Sequence, residues 1–166
     1  LGSSAGISTQ PWLSIAGSAG GNQMGYSVAG AGDVDGDGYD DVVMGEPFSN
    51  QFINYGGAVT IYYGSNNGSV RSDMLEPTAP YDYFGYAVAG VGDLNLDGFS
   101  DVVVGGIYAD NYTGGAFEFH GSLSGIDTTL RNNISGQNRS DAFGSFVAGA
   151  GDTDGDGLPE VLISAP

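Results

Sequence analysis

Residues 24–47 read MGYSVAGAGDVDGDGYDDVVMGEP, and nearly the same text returns twice, as FGYAVAGVGDLNLDGFSDVVVGGI from Phe84 and FGSFVAGAGDTDGDGLPEVLISAP from Phe143. The offsets are 60 residues (24 to 84) and 59 (84 to 143). Recurrence at this period marks a chain assembled from equivalent supersecondary units. Each unit also has a second half: GGAVTIYYGS, from Gly56 to Ser65, answers to GGAFEFHGS, from Gly114 to Ser122, and Leu1-Gly2-Ser3 matches the end of that segment. The expected organisation is one continuous array over 1–166. It comprises the tail of a preceding unit (1–23), full units at 24–83 and 84–142, and a truncated unit at 143–166.

Four strands fit each unit. Strand one covers about residues 25–30, where Ser27, Ala29 and Gly30 permit close approach. Strand two is the run 41–44, repeated at 101–104 and 160–163, and an unbroken apolar run of that length implies burial on both faces. Strand three alternates, with Val59, Ile61, Phe117 and Phe119 on one face and Thr60 and Glu118 on the other. A weaker strand four is expected near 72–76, 128–134 and 11–15. No segment has helical periodicity. The fold class is therefore all-β: a β-propeller segment of four-stranded antiparallel blades, two of them full, with partial blades at both ends.

Between strands one and two every unit carries D-x-[DN]-x-D-G-x-x-[DE]. The copies are Asp33, Asp35, Asp37 and Asp41; Asp93, Asn95, Asp97 and Asp101; and Asp152, Asp154, Asp156 and Glu160. Oxygens at alternate positions of a tight loop converge on one point. A backbone carbonyl at position seven (Tyr39, Phe99, Leu158) and the acid at position nine complete six or seven hard ligands, a set that suits Ca²⁺ better than Mg²⁺. An EF-hand instead places Glu at position twelve between helices; here position twelve is Met44, Val104 and Ile163, and the flanks are strands. One Asp-Gly cluster alone is an ordinary turn. Three in register, holding 11 of the chain's 20 acids, point to three structural Ca²⁺ sites.

Net charge is −17, with three Lys+Arg. That excludes a phosphate-backbone partner, which needs a cationic surface, and an anionic membrane surface repels it. Three divalent ions carry six positive charges and bring −17 to −11, relieving self-repulsion. Without cysteine there is neither a disulfide framework nor a thiolate metal site. No apolar run reaches the ~18 residues of a membrane span. The chain opens at Leu1 with neither a start methionine nor a leader pattern, as expected of a mature or excised segment.

These residues resemble the FG-GAP repeat of integrin α-subunit propellers and their bacterial relatives. The match rests on Phe84-Gly85, Phe143-Gly144, the Asp-rich loops, Ser164-Ala165-Pro166 and the Gly-Gly segments that open strand three. Met24 departs from the phenylalanine, Gly45-Glu46-Pro47 and Gly105-Gly106-Ile107 depart from Gly-Ala-Pro, and Asn95 departs from aspartate. The resemblance implies a seven-bladed ring outside the cell, with structural calcium on one rim and ligand-binding loops on the other. Pairing with an integrin β-subunit does not carry over.

Other signals carry less. Gly2-Ser3-Ser4-Ala5-Gly6 matches G-x-S-x-G, but that elbow needs a strand-to-helix turn and a histidine partner; a turn after strand three is expected instead. His120 is expected at a solvent edge. The G-x-G pairs at Gly30, Gly90 and Gly149 lack the third glycine of a dinucleotide fingerprint. Sequons at Asn67, Asn111, Asn133 and Asn138 fit a secreted glycoprotein, and equally Asn-Ser-Gly turns.

Strand alternation places residues 64–71 and 121–131 on the calcium rim. The opposite rim gathers 46–55, 77–83, 106–113 and 137–142, with Phe48, Phe52, Tyr55, Tyr81, Tyr83, Tyr108 and Tyr112. Exposed loop aromatics suit protein or sugar recognition. The expected function is an extracellular, secreted or cell-surface adhesion or interaction module, not an enzyme. The alternatives are a propeller scaffold of a secreted hydrolase or polysaccharide lyase, or a subunit of a structural fibre. Expected partners are a protein or glycan ligand on that rim and further blades, from a longer chain or other copies, covering the ends. There Val161 and Ile163 are expected to face outward.

Overall fold

The computed structural model describes residues 2–3, 6–7, 14–17, 21–66, 70–129 and 132–166. A short antiparallel pair, β1 (Gly2–Ser3) and β2 (Gly6–Ile7), takes in the first two residues and the last residue of the G-x-S-x-G stretch; residues 4 and 5 lie outside the described residues. Of the strand expected at 11–15, residues 11–13 lie outside the described residues, and 14 and 15 are not in a strand.

Two antiparallel meanders follow. The first is β3 (Ser27–Gly32), β4 (Asp41–Gly45), β5 (Val59–Tyr63) and β6 (Arg71–Leu75). The second is β7 (Phe84–Gly92), β8 (Asp101–Gly106), β9 (Gly115–Phe119) and β10 (Asn132–Ser135), and a hairpin of β11 (Val147–Gly151) and β12 (Glu160–Ile163) ends the chain. Each four-stranded sheet is a propeller blade. The single helical turn, α1 (Ala109–Tyr112), winds left-handed, with φ of 51° at Asp110, 62° at Asn111 and 69° at Tyr112.

Small residues bring successive blades together. A Cβ on Gly45 would lie 2.0 Å from the Gly85 carbonyl oxygen, and one on Gly105 would lie 2.0 Å from that of Gly144. The Phe-Gly pair thus has two jobs. Phe84 is buried in the core, while Gly85, at φ 87°, lets the backbone pass against the neighbouring sheet. The same pair zips in parallel onto the preceding blade through the bridges Gly57↔Phe84 and Gly114↔Phe143.

Two apolar clusters lie between the blades, and strand two divides its side chains between them. In β8, Val102 and Val104 join the cluster shared with Val43, Val59, Ile61 and Phe84, whereas Val103 joins Ala89, Val91 and Ala116. Every residue of β8 is buried, as expected of a strand covered on both faces. The end strands differ. In β4 only Val43 points into the shared core, and Val42 is exposed. In β12, Val161 and Ile163 pack inward against the Val103 cluster, and Leu162, 63% exposed, faces out. The expectation that Val161 and Ile163 face outward is therefore corrected by one residue of pleat.

Candidate metal loops and the opposite rim

The three Asp-rich loops leave strand one through a bulge, paired Gly32↔Asp41, Gly92↔Asp101 and Gly151↔Glu160 across the sheet. Their backbone N–H groups turn inward and donate to the loop's own carboxylates. Asp33 accepts from Asp37 N and Gly38 N (3.1 and 2.9 Å), and Asp37 accepts from Tyr39 N (2.9 Å). Asp93 accepts from Asp97 N and Gly98 N (3.0 and 2.8 Å), and Asp97 from Phe99 N (3.0 Å). In the third loop Asp152 accepts from Gly155 N and Gly157 N, and Asp156 from Leu158 N.

This ladder occupies one lone pair on most of these oxygens and leaves others free to take a ligand. Carboxylate oxygens of Asp33, Asp35 and Asp37 lie within 4.8 Å of one another, as do those of Asp152, Asp154, Asp156 and Glu160. An all-oxygen set this close repels itself and fits a hard divalent cation. Loop two is different, because the neutral Asn95 side chain replaces a carboxylate and its amide donates to Asp97 at 2.9 Å.

The position-nine acids divide differently, with loop three set apart from loops one and two. Glu160 stays with its loop and accepts from the Thr153 backbone and hydroxyl. Asp41 and Asp101 are buried beneath theirs, and each accepts one loop N–H (Val34, Leu94) and one from the turn after strand three (Gly64, Gly121). Burial pushes both carboxyls above the usual range, the N–H donors oppose it, and neighbouring loop acids add to it. The reach of a bound cation would lower that cost.

Adjacent loops touch. Ser100 N donates to the Asp33 carbonyl at 2.9 Å, Ser122 N donates to that of Val34 at 3.0 Å, and the Phe99 ring covers Gly36. Arg71, which the motifs do not include, places Nη1 3.4 Å from Asp35 Oδ2. Its only trace in the sequence is scarcity, as one of three basic residues.

His120 is half-buried, not at a solvent edge. Its Nε2 lies 2.5 Å from Glu118 Oε1; burial disfavours the charged ring, but Glu118, Asp101 and Asp97 outweigh it and raise the pKa above the ordinary value. The sequon asparagines Asn111, Asn133 and Asn138 are exposed, and Asn67 lies outside the described residues.

On the opposite rim the aromatics form a connected ribbon. Tyr86, Tyr26, Phe48, Tyr83, Tyr108 and Tyr112 follow one another at centroid spacings of 5.0, 5.7, 5.3, 5.1 and 5.9 Å. Tyr55 stacks on Tyr81 at 5.9 Å beside it. Tyr55, Tyr81, Tyr83 and Tyr112 all have positive φ, a strained conformation for an aromatic residue. A 330 Å³ cleft opens among Tyr81, Asp82, Tyr108, Asp110 and Tyr112.

The FG-GAP repeat model matches residues 24–62. The chain is built of FG-GAP repeats of the integrin α type. It is 35% identical over 164 residues to integrin alpha pat-2 of Caenorhabditis elegans, with 87% of this chain and 13% of that protein covered. It is 35% identical over 147 residues to human integrin alpha-6, covering 87% and 12%. The chain thus spans about an eighth of the relatives it matches. The matched residues fall in the first four-stranded sheet, and the second sheet repeats its strand order; the Phe-Gly contact against the neighbouring sheet explains the motif in physical terms. No helix among the described residues is long and apolar enough to cross a membrane.

Proposed function

We propose that this chain is a calcium-binding FG-GAP propeller segment of an extracellular adhesion or interaction protein, without enzymatic activity of its own. Three Ca²⁺ ions are held structurally. The ligands are Asp33, Asp35, Asp37, Tyr39 carbonyl and Asp41; Asp93, Asn95, Asp97, Phe99 carbonyl and Asp101; and Asp152, Asp154, Asp156, Leu158 carbonyl and Glu160. The observation that carries this reading is the repeated inward ladder of N–H donors, which gathers carboxylates against their mutual repulsion. A protein or glycan ligand binds the aromatic rim opposite these loops, and rigid tyrosines give it contact area at little entropic cost. The relatives, integrin α subunits by name, favour adhesion over other propeller roles.

Calorimetric calcium titration of the protein and of Asp37→Ala, Asp97→Ala and Asp156→Ala tests the metal reading. Each variant is expected to lose one site. The tightest loss is expected at loop three, where all four carboxylates lie within 4.8 Å of one another, and the weakest at loop two, which has three carboxylates in all. Identical isotherms for protein and variants would refute it.

A further inference from the structure

Arg71 stands at the junction of loop one with the second blade. Its guanidinium lies 3.9 Å over the Tyr63 ring, and Nη2 donates to the Ser124 carbonyl at 2.8 Å, across the blade boundary. Tyr63 is itself fixed: its hydroxyl donates to Asp73 and accepts from Ile126 N, both within 2.9 Å. Room for this arrangement depends on Gly125, at φ 106°. A Cβ there would fall 2.2 Å from Nη2 and 2.4 Å from the tyrosine oxygen.

We infer that Arg71 is a tethered counter-cation that competes with the metal ion for Asp35, so that loop one loads at higher calcium than its carboxylates alone dictate. The inference rests on the calcium reading of the loops. Three of the four contacts that hold the guanidinium (the Tyr63 ring, the Ser124 carbonyl and Asp73) do not involve Asp35, so the positive charge stays near the loop when an ion arrives. Without metal, the same charge offsets repulsion among Asp33, Asp35 and Asp37 and keeps the loop shaped. Like charges at this separation repel even through water, with loss at high salt. Among the described residues the other loops lack this device. Loop two has the Asn95 amide against Asp97, and among the described residues no ion pair reaches loop three.

The test is a calcium titration followed by amide resonances, Gly36 and Gly38 for loop one and Gly155 and Gly157 for loop three, on the protein and on Arg71→Gln, Arg71→Met and Arg71→Lys. The methionine variant keeps an apolar stem on Tyr63 in case the glutamine variant does not fold. Removing the charge is expected to tighten loop one about threefold to tenfold and to leave loop three unchanged, while the metal-free melting midpoint falls by a few degrees. Arg71→Lys is expected to lower the metal-free midpoint but keep the affinity of the parent protein, which a merely structural role would not separate. Unchanged or weaker calcium binding at loop one in the neutral variants, with loop three still saturating, would overturn the inference. Failure of every loop to saturate in the parent protein would instead overturn the calcium reading beneath it.

Discussion

Loop one and loop three share a motif and an almost identical ladder of backbone N–H donors, yet they sit in different surroundings. Loop one is walled by the next blade, where Phe99 covers Gly36 and Ser100 and Ser122 donate to its carbonyls; Arg71 of its own blade faces Asp35, and Asp35 is only 9% exposed. In loop three Asp152, Asp154 and Asp156 are exposed, and space around Gly155 and Gly157 is open. The loop's shape is therefore local, written in nine residues. Its burial comes from the neighbouring blade, and its counter-charge from Arg71 of its own fourth strand, which the neighbouring blade holds through the Ser124 carbonyl. This is the expected behaviour of a repeat array, where stability divides into a part within each unit and a part between units.

The sharpest way to break that comparison is to make the same change in both loops. Gly36 and Gly155 have φ of 73° and 81°, so alanine strains both backbones by about 1–2 kcal/mol. At Gly36 the new Cβ would also lie 2.6 Å from the Phe99 ring, which adds about 1–3 kcal/mol of overpacking. Denaturant unfolding is expected to show Gly36→Ala as clearly the costlier variant; equal costs would mean that the second blade does not press on loop one.

A somewhat smaller effect comes from the clasp beside loop one. Tyr63 is buried, and burial raises its pKa from 10.0 to about 12, with Asp73 adding and the Ile126 N–H and Arg71 opposing. The folded state thus holds the proton more tightly than the unfolded state. The resulting stability is present below pH 10 and is lost as pH climbs to about 12, worth at most roughly 2–3 kcal/mol. Tyr63→Phe is expected to flatten that alkaline loss when unfolding is measured at pH 9, 10.5 and 12. An unchanged pH profile would show that the tyrosine is not buried as described.

The smallest effect lies in loop two, where Leu96 occupies the left-handed position filled by glycine in the other loops, at φ 62° and exposed. Leu96→Gly relieves strain at the cost of a more disordered unfolded chain. A net gain of about 1 kcal/mol is expected in a chemical melt, and a loss would show that Leu96 makes contacts in the assembled protein.

The contrast also separates what the residue order reveals from what it conceals. The loops were legible because their donors and carboxylates lie within nine residues of one another. Strand two was legible in the middle blade, where Val102 and Val103 serve two cores, but its ends were not. A run of valines does not announce which face lacks a neighbour, so Val161 and Ile163 were assigned to the wrong side and Leu162 was overlooked. In blade two, residues 128 and 129 of the expected strand four lie outside it, where Asp127 accepts from Thr129 N, and the described strand is Asn132–Ser135. Arg71 is invisible in the sequence, because its partner Ser124 is 53 residues away. His120 was misplaced because its burial depends on Glu118 and Asp101 folding around it.

The central proposal, that the loops hold structural calcium, is tested most directly by thermal melts of the protein in millimolar calcium and in chelator. Calcium binds only the assembled loops, so mass action predicts a higher midpoint with the ion, rising further with its concentration. A midpoint that stays the same in calcium and in chelator would contradict the account.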